Sequence, residues 1–259
     1  MIDLHCHILP GVDDGAETLA DALAIGQMAY ADGIRGIVAT PHRRLDAFAA
    51  APDVAAKLLD DVRSVARESG LALDLYLGGE AYIAPDLADQ VRSGLALTIN
   101  GGRYLLLEWP LREYPRFSEE IVFDLQVRGI VPIIAHAERY RFVQQDLARL
   151  AGFVERGALV QITAASLFST INRGMRRTAE ELLTRGLAHV IASDSHNVGR
   201  RPPILSRARE RASELVGPAR AGAMVTDAPR QIVENRPVEL PEVVLQARRS
   251  FWQFWKEEG

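Results

Sequence analysis

Two alternating pairs of side chains frame the 259-residue chain: His5 and His7 in Asp3-Leu-His-Cys-His, and Asp194 and His196 in Ser193-Asp-Ser-His-Asn197. On an extended segment, residues two apart project from the same side, so each pair can present two donor atoms to one cation. A lone His-x-His suits two structural histidines equally well and gains meaning only from its company. Here the company is of one chemistry. Asp14 lies in Gly11-Val-Asp-Asp-Gly15, either an ordinary turn or an oxygen ligand, and His42 follows an apolar run in Thr40-Pro-His-Arg43. Glu80 comes after two glycines, while Glu108 ends Tyr104-Leu-Leu-Leu-Glu and His136 ends Val131-Pro-Ile-Ile-Ala-His. An acid closing so apolar a strand as 104–108 needs a metal or an arginine beside it.

Five imidazoles and four carboxylates exceed what one ion can use and match two or three closely spaced divalent ions. Mixed nitrogen and oxygen donors without thiolate suit Mn²⁺, Fe or Zn²⁺. Cys6, between the paired histidines, should face away from them. Arg139, in His-Ala-Glu-Arg-Tyr140, stands where a guanidinium can meet an oxyanion held by such ions, with Glu138 a candidate to orient it. Arg43 reads as a solvated side chain, and Arg200 and Arg201 follow the second pair. The implied chemistry is metal-assisted, with an oxyanion held by the ions and a guanidinium. A thiol route fails on spacing, because position six after Cys6 is Val12 rather than the arginine a cysteine phosphatase requires.

These residues need a scaffold that brings distant segments to one place. Short β-rich runs at 1–5, 34–40, 71–77, 104–108, 130–136, 159–163 and 189–193 alternate with helical patterns at 16–31, 54–68, 118–128, 147–156 and 178–185. About seven β/α units favour a parallel sheet with crossover helices, closed or open. Five of the six histidines fall at or just past strand C-terminal ends, where a closed β/α barrel collects its chemistry; His189 opens a strand and reads as structural.

At 48% hydrophobic and 25% charged, residues 1–259 fit one barrel-sized domain, with loops of functional length at 11–15 and 108–115. A net charge of -4 lacks the basic bias of a nucleic-acid binder. One cysteine suits a reducing compartment, and no apolar run nears the roughly 20 residues of a membrane span, so the cytoplasm is expected. Phe251, Trp252, Phe254 and Trp255 crowd an expected C-terminal helix at about 240–259, suited to packing on the barrel, joining subunits in a homo-oligomer or meeting a membrane-bound partner.

The motifs Met-Ile-Asp-Leu-His-Cys-His, Gly-Val-Asp-Asp-Gly, Thr-Pro-His-Arg, Gly-Gly-Glu, His-Ala-Glu-Arg-Tyr and Ser-Asp-Ser-His-Asn with Arg200-Arg-Pro-Pro203 occur in order through nearly the whole chain. In them the sequence resembles the PHP (polymerase and histidinol phosphatase) superfamily, specifically the CpsB/YwqE-type bacterial tyrosine-protein phosphatases. The resemblance implies an α/β fold, a distorted (β/α)7 barrel of TIM-like form, with a trinuclear site holding manganese foremost and Fe or Zn as alternatives. It implies that His5, His7, Glu80 and Asp194 serve one ion with Glu80 bridging, that Glu108 and His136 complete a second, and that Asp14, His42 and His196 hold a third. Arg139 and Arg201 match phosphate-contacting arginines. The implied partner is a bacterial tyrosine kinase, through its C-terminal tail, in capsule and exopolysaccharide synthesis.

Rival readings are a histidinol-phosphate or other small-molecule phosphoesterase, a non-catalytic regulatory scaffold, and an amidohydrolase. Many amidohydrolases bridge their metals with a modified lysine, and the only lysine here before the C-terminus, Lys57, falls within a helical pattern.

Overall fold

A computed structural model describes residues 1–44 and 48–238; the aromatic segment expected at 240–259 lies outside the described residues. In chain order the strands are β1 (Ile2–Cys6), β2 (Gly36–Ala39), β3 (His42–Arg44), β4 (Phe48–Ala49), β5 (Asp74–Leu77), β6 (Glu80–Tyr82), β7 (Tyr104–Glu108), β8 (Val131–Ile134), β9 (Leu159–Thr163) and β10 (Val190–Ala192). All pair in parallel except the β3–β4 hairpin. One ladder runs β1-β2-β5 and the other β10-β9-β8-β7-β6-β3-β4. The principal helices are α1 (Leu19–Ala31), α2 (Pro52–Glu68), α3 (Leu87–Arg92), α4 (Ser118–Val127), α5 (Arg141–Gln145), α6 (Leu147–Glu155), α7 (Arg173–Thr184), α8 (Ser206–Val216), α9 (Pro218–Ala223) and α10 (Asp227–Val233).

The seven expected strands are present, two of them broken where the backbone demands it. Pro41 has no N–H to donate, so the run 34–40 ends as β2 and restarts as β3. The run 71–77 stops before Gly78 and Gly79 and resumes as β6. A Cβ on Gly78 would meet Val38 Cγ1 at 2.9 Å, so only glycine lets the two walls come this close. Hydrogen bonds bridge both breaks: Gly78 donates to the Ala39 carbonyl (2.9 Å) and Glu80 to that of Pro41 (3.0 Å). The ring closes between β1 and the segment after β10, where Asp194 N–H reaches the His5 carbonyl at 2.9 Å and His7 N–H the Ser195 carbonyl at 2.8 Å. The buried Asp3 carboxylate fastens this seam by accepting from the backbone N–H (2.9 Å) and hydroxyl of Ser193. A seven-unit β/α barrel results.

Alternation along the strands sorts two cores. Leu4, Val38, Leu106, Ile133, Leu159 and Val190, from six strands, fill the barrel interior, and Ala228, Ile232 and Val233 of α10 close its lower end. Ile37, Leu105, Leu107 and Cys6 pack outward against the helices, so Cys6 does face away from the histidines flanking it. Helix α1 starts at a capping box formed by Thr18 and Asp21; α2 buries Ala55, Leu59, Val62 and Ala66 at helical spacing. Helix α7 begins earlier than residue 178 because Asn172 accepts from the Met175 N–H and caps it there. Lys57 is exposed on α2.

His189 is structural as expected: it is buried, and its Nδ1 accepts from the Val160 N–H at 3.0 Å. Burial, reinforced by the charge of Arg220, pushes its pKa down from 6.5 to about 4. The unfolded chain therefore binds the proton first. This contribution to stability is complete above pH 6.5 and disappears as pH falls toward 4, a span worth about 3 kcal/mol. His189→Gln, which keeps an acceptor, should flatten that part of the pH–stability curve in urea unfolding; an unchanged curve would contradict a neutral buried imidazole.

Candidate metal centre

The loops and strand ends at the C-terminal face of the barrel bring all nine candidate donor residues together. His5, His7, Glu80, His136, Asp194 and His196 are at most 3% exposed and Glu108 is 7% exposed, whereas Asp14 reaches in from a solvent-facing loop. His136 and Asp194 adopt left-handed backbone conformations, with φ of 31° and 54°. Such strain in non-glycine residues clusters at functional sites, where it aims a side chain that relaxed backbone would turn elsewhere.

Hydrogen bonds settle which ring nitrogens face inward. His136 N–H donates to Gln161 Oε1 (3.1 Å), which marks that oxygen as an acceptor, so His5 Nδ1 donates to it at 3.0 Å and leaves Nε2 bare. His7 Nδ1 donates to Asp13 Oδ2 at 2.7 Å, and His196 Nδ1 donates to the Asp194 carbonyl at 3.1 Å. Three imidazoles therefore turn Nε2 toward the site. His5 Nε2 and His7 Nε2 stand 3.1 Å apart. Each also lies near two carboxylates: Glu80 Oε2 is 3.4 and 3.6 Å away, and Asp194 Oδ1 is 3.4 and 3.5 Å away. A tetrahedron of donors about 2.1 Å from a cation has edges of about 3.4 Å. The residues present fit a divalent ion.

Two further groups adjoin the first. His42, Glu80 and Glu108 converge, with His42 Nδ1 2.7 Å from Glu80 Oε2 and His136 Nε2 2.9 Å from Glu80 Oε1. His7, Asp14, His42 and His196 converge as well, Asp14 Oδ1 standing 3.1 Å from His196 Nε2 and 3.4 Å from His42 Nε2. Among the described residues, His42 Nδ1, Glu80 Oε2, Glu108 Oε2 and His196 Nε2 are buried without a hydrogen bond despite these short separations. Donor atoms that crowd one another without bonding are arranged to share a cation.

The electrostatics agree. Burial and then the neighbouring charge of Glu80 push the Glu108 carboxyl up to about 7. Burial works against a charged His7, yet the hydrogen bonds it donates to the Asp13 and Asp194 carboxylates outweigh it and raise its pKa to about 10, so its Nε2 proton must leave before that nitrogen can hold an ion. His196 falls to about 3 through burial and repulsion from His7. Arg139 and Arg201 both approach Asp194 Oδ2, at 2.8 and 2.7 Å, and so border the same cluster. Glu138 Oε1 accepts from Thr163 N–H (3.1 Å) and Ser166 Oγ (2.5 Å), tying the turn after His136 to β9 and the segment beyond it, while its charge also acts on Arg139.

Two residues matter here that sequence reasoning passed over. Asp13 orients His7 and also accepts from the His42 N–H at 3.0 Å; its only signal was adjacency to Asp14. Gln161 orients His5, and an amide inside the apolar strand Leu-Val-Gln-Ile-Thr is a signal, since it must find a buried partner. The loop carrying Asp13 turns at Gly15, where a Cβ would stand 2.2 Å from the His7 carbonyl oxygen. Gly15→Ala must displace backbone rather than a flexible side chain, so it should weaken metal binding by about 10- to 100-fold in calorimetric titration. Wild-type affinity in that variant would show that the loop does not position His7.

Over residues 1–234 the sequence matches the family described as capsular polysaccharide synthesis, CpsB/CapC. Tyrosine-protein phosphatase YwqE of Bacillus subtilis (strain 168) is 35% identical over 198 residues, 76% of this chain and 78% of that one. Tyrosine-protein phosphatase CpsB of Streptococcus pneumoniae is 31% identical over 241 residues, 91% of this chain and 99% of the other. A solved structure from work on YwqE and CpsB, described as unique metal-dependent tyrosine phosphatases, superposes with a TM-score of 0.89 at 31% identity, covering 95% of this chain and 100% of that one. The phosphotriesterase of Mycobacterium tuberculosis shares the fold at a TM-score of 0.54 and 14% identity, over 90% of this chain and 94% of its own. This barrel, with its histidine and carboxylate cluster, belongs to the CpsB/CapC family.

Proposed function

We propose that the chain is a metal-dependent protein-tyrosine phosphatase, a phosphoric monoester hydrolase working at the mouth of the barrel. The observation that carries this reading is the cage formed by His5 Nε2, His7 Nε2, Glu80 Oε2 and Asp194 Oδ1, with two guanidinium groups on the outer oxygen of Asp194. In this reading His5, His7, Glu80 and Asp194 hold one ion; Glu80, Glu108 and His136 a second; Asp14, His42 and His196 a third. His42 stands between the second and third groups. Manganese is the ion proposed, with Fe or Zn as alternatives for the same donors.

When bound, the ions neutralise charge on the phosphoryl oxygens and make a water acidic enough to attack phosphorus at neutral pH. Arg139 and Arg201 bind the remaining phosphoryl oxygens, where charge grows in the transition state. Asp13 and Gln161 keep the imidazoles of His7 and His5 in the tautomer that leaves Nε2 free. A phenol pKa of about 10 makes the tyrosyl oxygen a tolerable leaving group. Cys6 takes no part: it is buried in the outer core, and burial raises its thiol well above the ordinary range.

The names of the family and its relatives support a phosphotyrosine protein of a capsule system as the substrate; we propose that it is a bacterial tyrosine kinase, met in the cytoplasm. Among the described residues no helix is long and apolar enough to cross a membrane. The test is hydrolysis of p-nitrophenyl phosphate and a phosphotyrosine peptide by Mn²⁺-loaded protein, beside a phosphoserine peptide and histidinol phosphate. Selective turnover of phosphotyrosine is expected; a preference for histidinol phosphate would replace this reading with a small-molecule phosphatase.

A further inference from the structure

Helix α7 carries its positive charge at the wrong end. Arg173, Arg176 and Arg177 occupy positions i, i+3 and i+4 of its first turns, where they share one face and repel one another. The N-terminal end of a helix also disfavours cations. Among the described residues Arg173 and Arg177 have no acidic partner, and both are exposed. Arg176 pairs with Glu180 Oε1 at 3.1 Å, but Arg211 of α8 takes the same oxygen at 2.8 Å, so the one acid of the group is already neutralised. In a chain of net charge -4 this concentration is local.

These arginines line a cavity of about 420 Å³, shared with Ser169, Thr170 and Glu180. The cavity is lined by residues that follow β9 in the chain, from Ser169 onward, and so starts past the C-terminal end of that strand. Helix α7 packs beside the turn bearing His136 and Arg139, whose Glu138 carbonyl accepts from Gln144 Nε2 at 2.8 Å. Beside the cavity Ile171 is fully exposed, an apolar contact at the rim of a cationic hollow.

We propose that this hollow is a docking subsite for carboxylate side chains of the protein substrate, flanking its phosphotyrosine. The proposal rests on the phosphatase reading and adds a determinant outside the metal centre. Acidic residues seated there would relieve both the mutual repulsion of the arginines and their conflict with the helix dipole, and would hold the substrate chain across the barrel mouth.

The test uses the full chain loaded with Mn²⁺ and two phosphotyrosine peptides of equal length, one with glutamates and one with glutamines around the tyrosine, beside p-nitrophenyl phosphate. Wild-type protein should show a KM about 5- to 20-fold lower for the glutamate peptide, a preference that shrinks in high salt. Arg173→Gln with Arg177→Gln should erase that preference and leave p-nitrophenyl phosphate turnover unchanged. Fluorescence anisotropy with a labelled, unphosphorylated glutamate peptide reads the subsite without catalysis, and the double variant should bind it at least 5-fold more weakly. Equal binding by wild type and variant overturns the subsite whatever the kinetics. Weakened binding in a protein that hydrolyses no aryl phosphate would keep the anion site and overturn the phosphatase reading instead.

Discussion

Replacing Glu80 with glutamine should lower phosphotyrosine turnover by a factor on the order of 10³ and strip at least one equivalent of metal, with the fold retained by circular dichroism. The substitution preserves volume and removes only charge. Glu80 is fully buried, and its two oxygens meet four imidazoles: His5, His7 and His42 around Oε2, at 3.4, 3.6 and 2.7 Å, and His136 at Oε1, at 2.9 Å. Burial alone would raise its carboxyl, yet the histidines hold it well below the usual carboxylate range. An amide carries no such charge and cannot accept through both arms. Full metal content by elemental analysis, together with wild-type turnover, would remove Glu80 from the bridging position.

Arg139→Lys and Arg201→Lys should each reduce kcat by about 10²- to 10³-fold while metal content stays at the wild-type level. Lysine keeps the charge and loses the planar fork that spans two oxygens. Because both guanidinium groups meet the same Asp194 oxygen, the double variant should lose less than the product of the single effects. If metal left with the activity, the arginines would be holding Asp194 in place rather than binding phosphate.

Much of the centre was legible because its residues fall at or just past the ends of apolar strands, although His136 and Asp194 leave strand geometry for left-handed backbone. His5 with His7, and Asp194 with His196, sit two apart at strand ends, and Glu108 and His136 close apolar strands, so periodicity alone pointed them to the barrel mouth. What stayed hidden depends on contacts between distant segments. Nothing near Asp13 says that it, rather than Asp14, would meet the far nitrogen of His7, and nothing near Glu138 says that Thr163 and Ser166 would claim it first. The breaks at Pro41 and at Gly78 were visible as residues. Their effect was not, since a proline ends a ladder only where a neighbour would have accepted its hydrogen.

The seam between β1 and β10 bears on biosynthesis. Asp3 and Ser193, which lock it, are 190 positions apart, so most of the chain must leave the ribosome before the ring can shut. Until then β1 can pair with β2 on one side only, and its other edge stays an open row of donors and acceptors beside apolar Ile2 and Leu4. Long-range pairing of this kind folds slowly and leaves nascent chains prone to association. Recombinant yield should accordingly respond to slower translation or added chaperones more than to metal in the medium, because the donors on β1 and beyond β10 cannot share an ion before the seam forms.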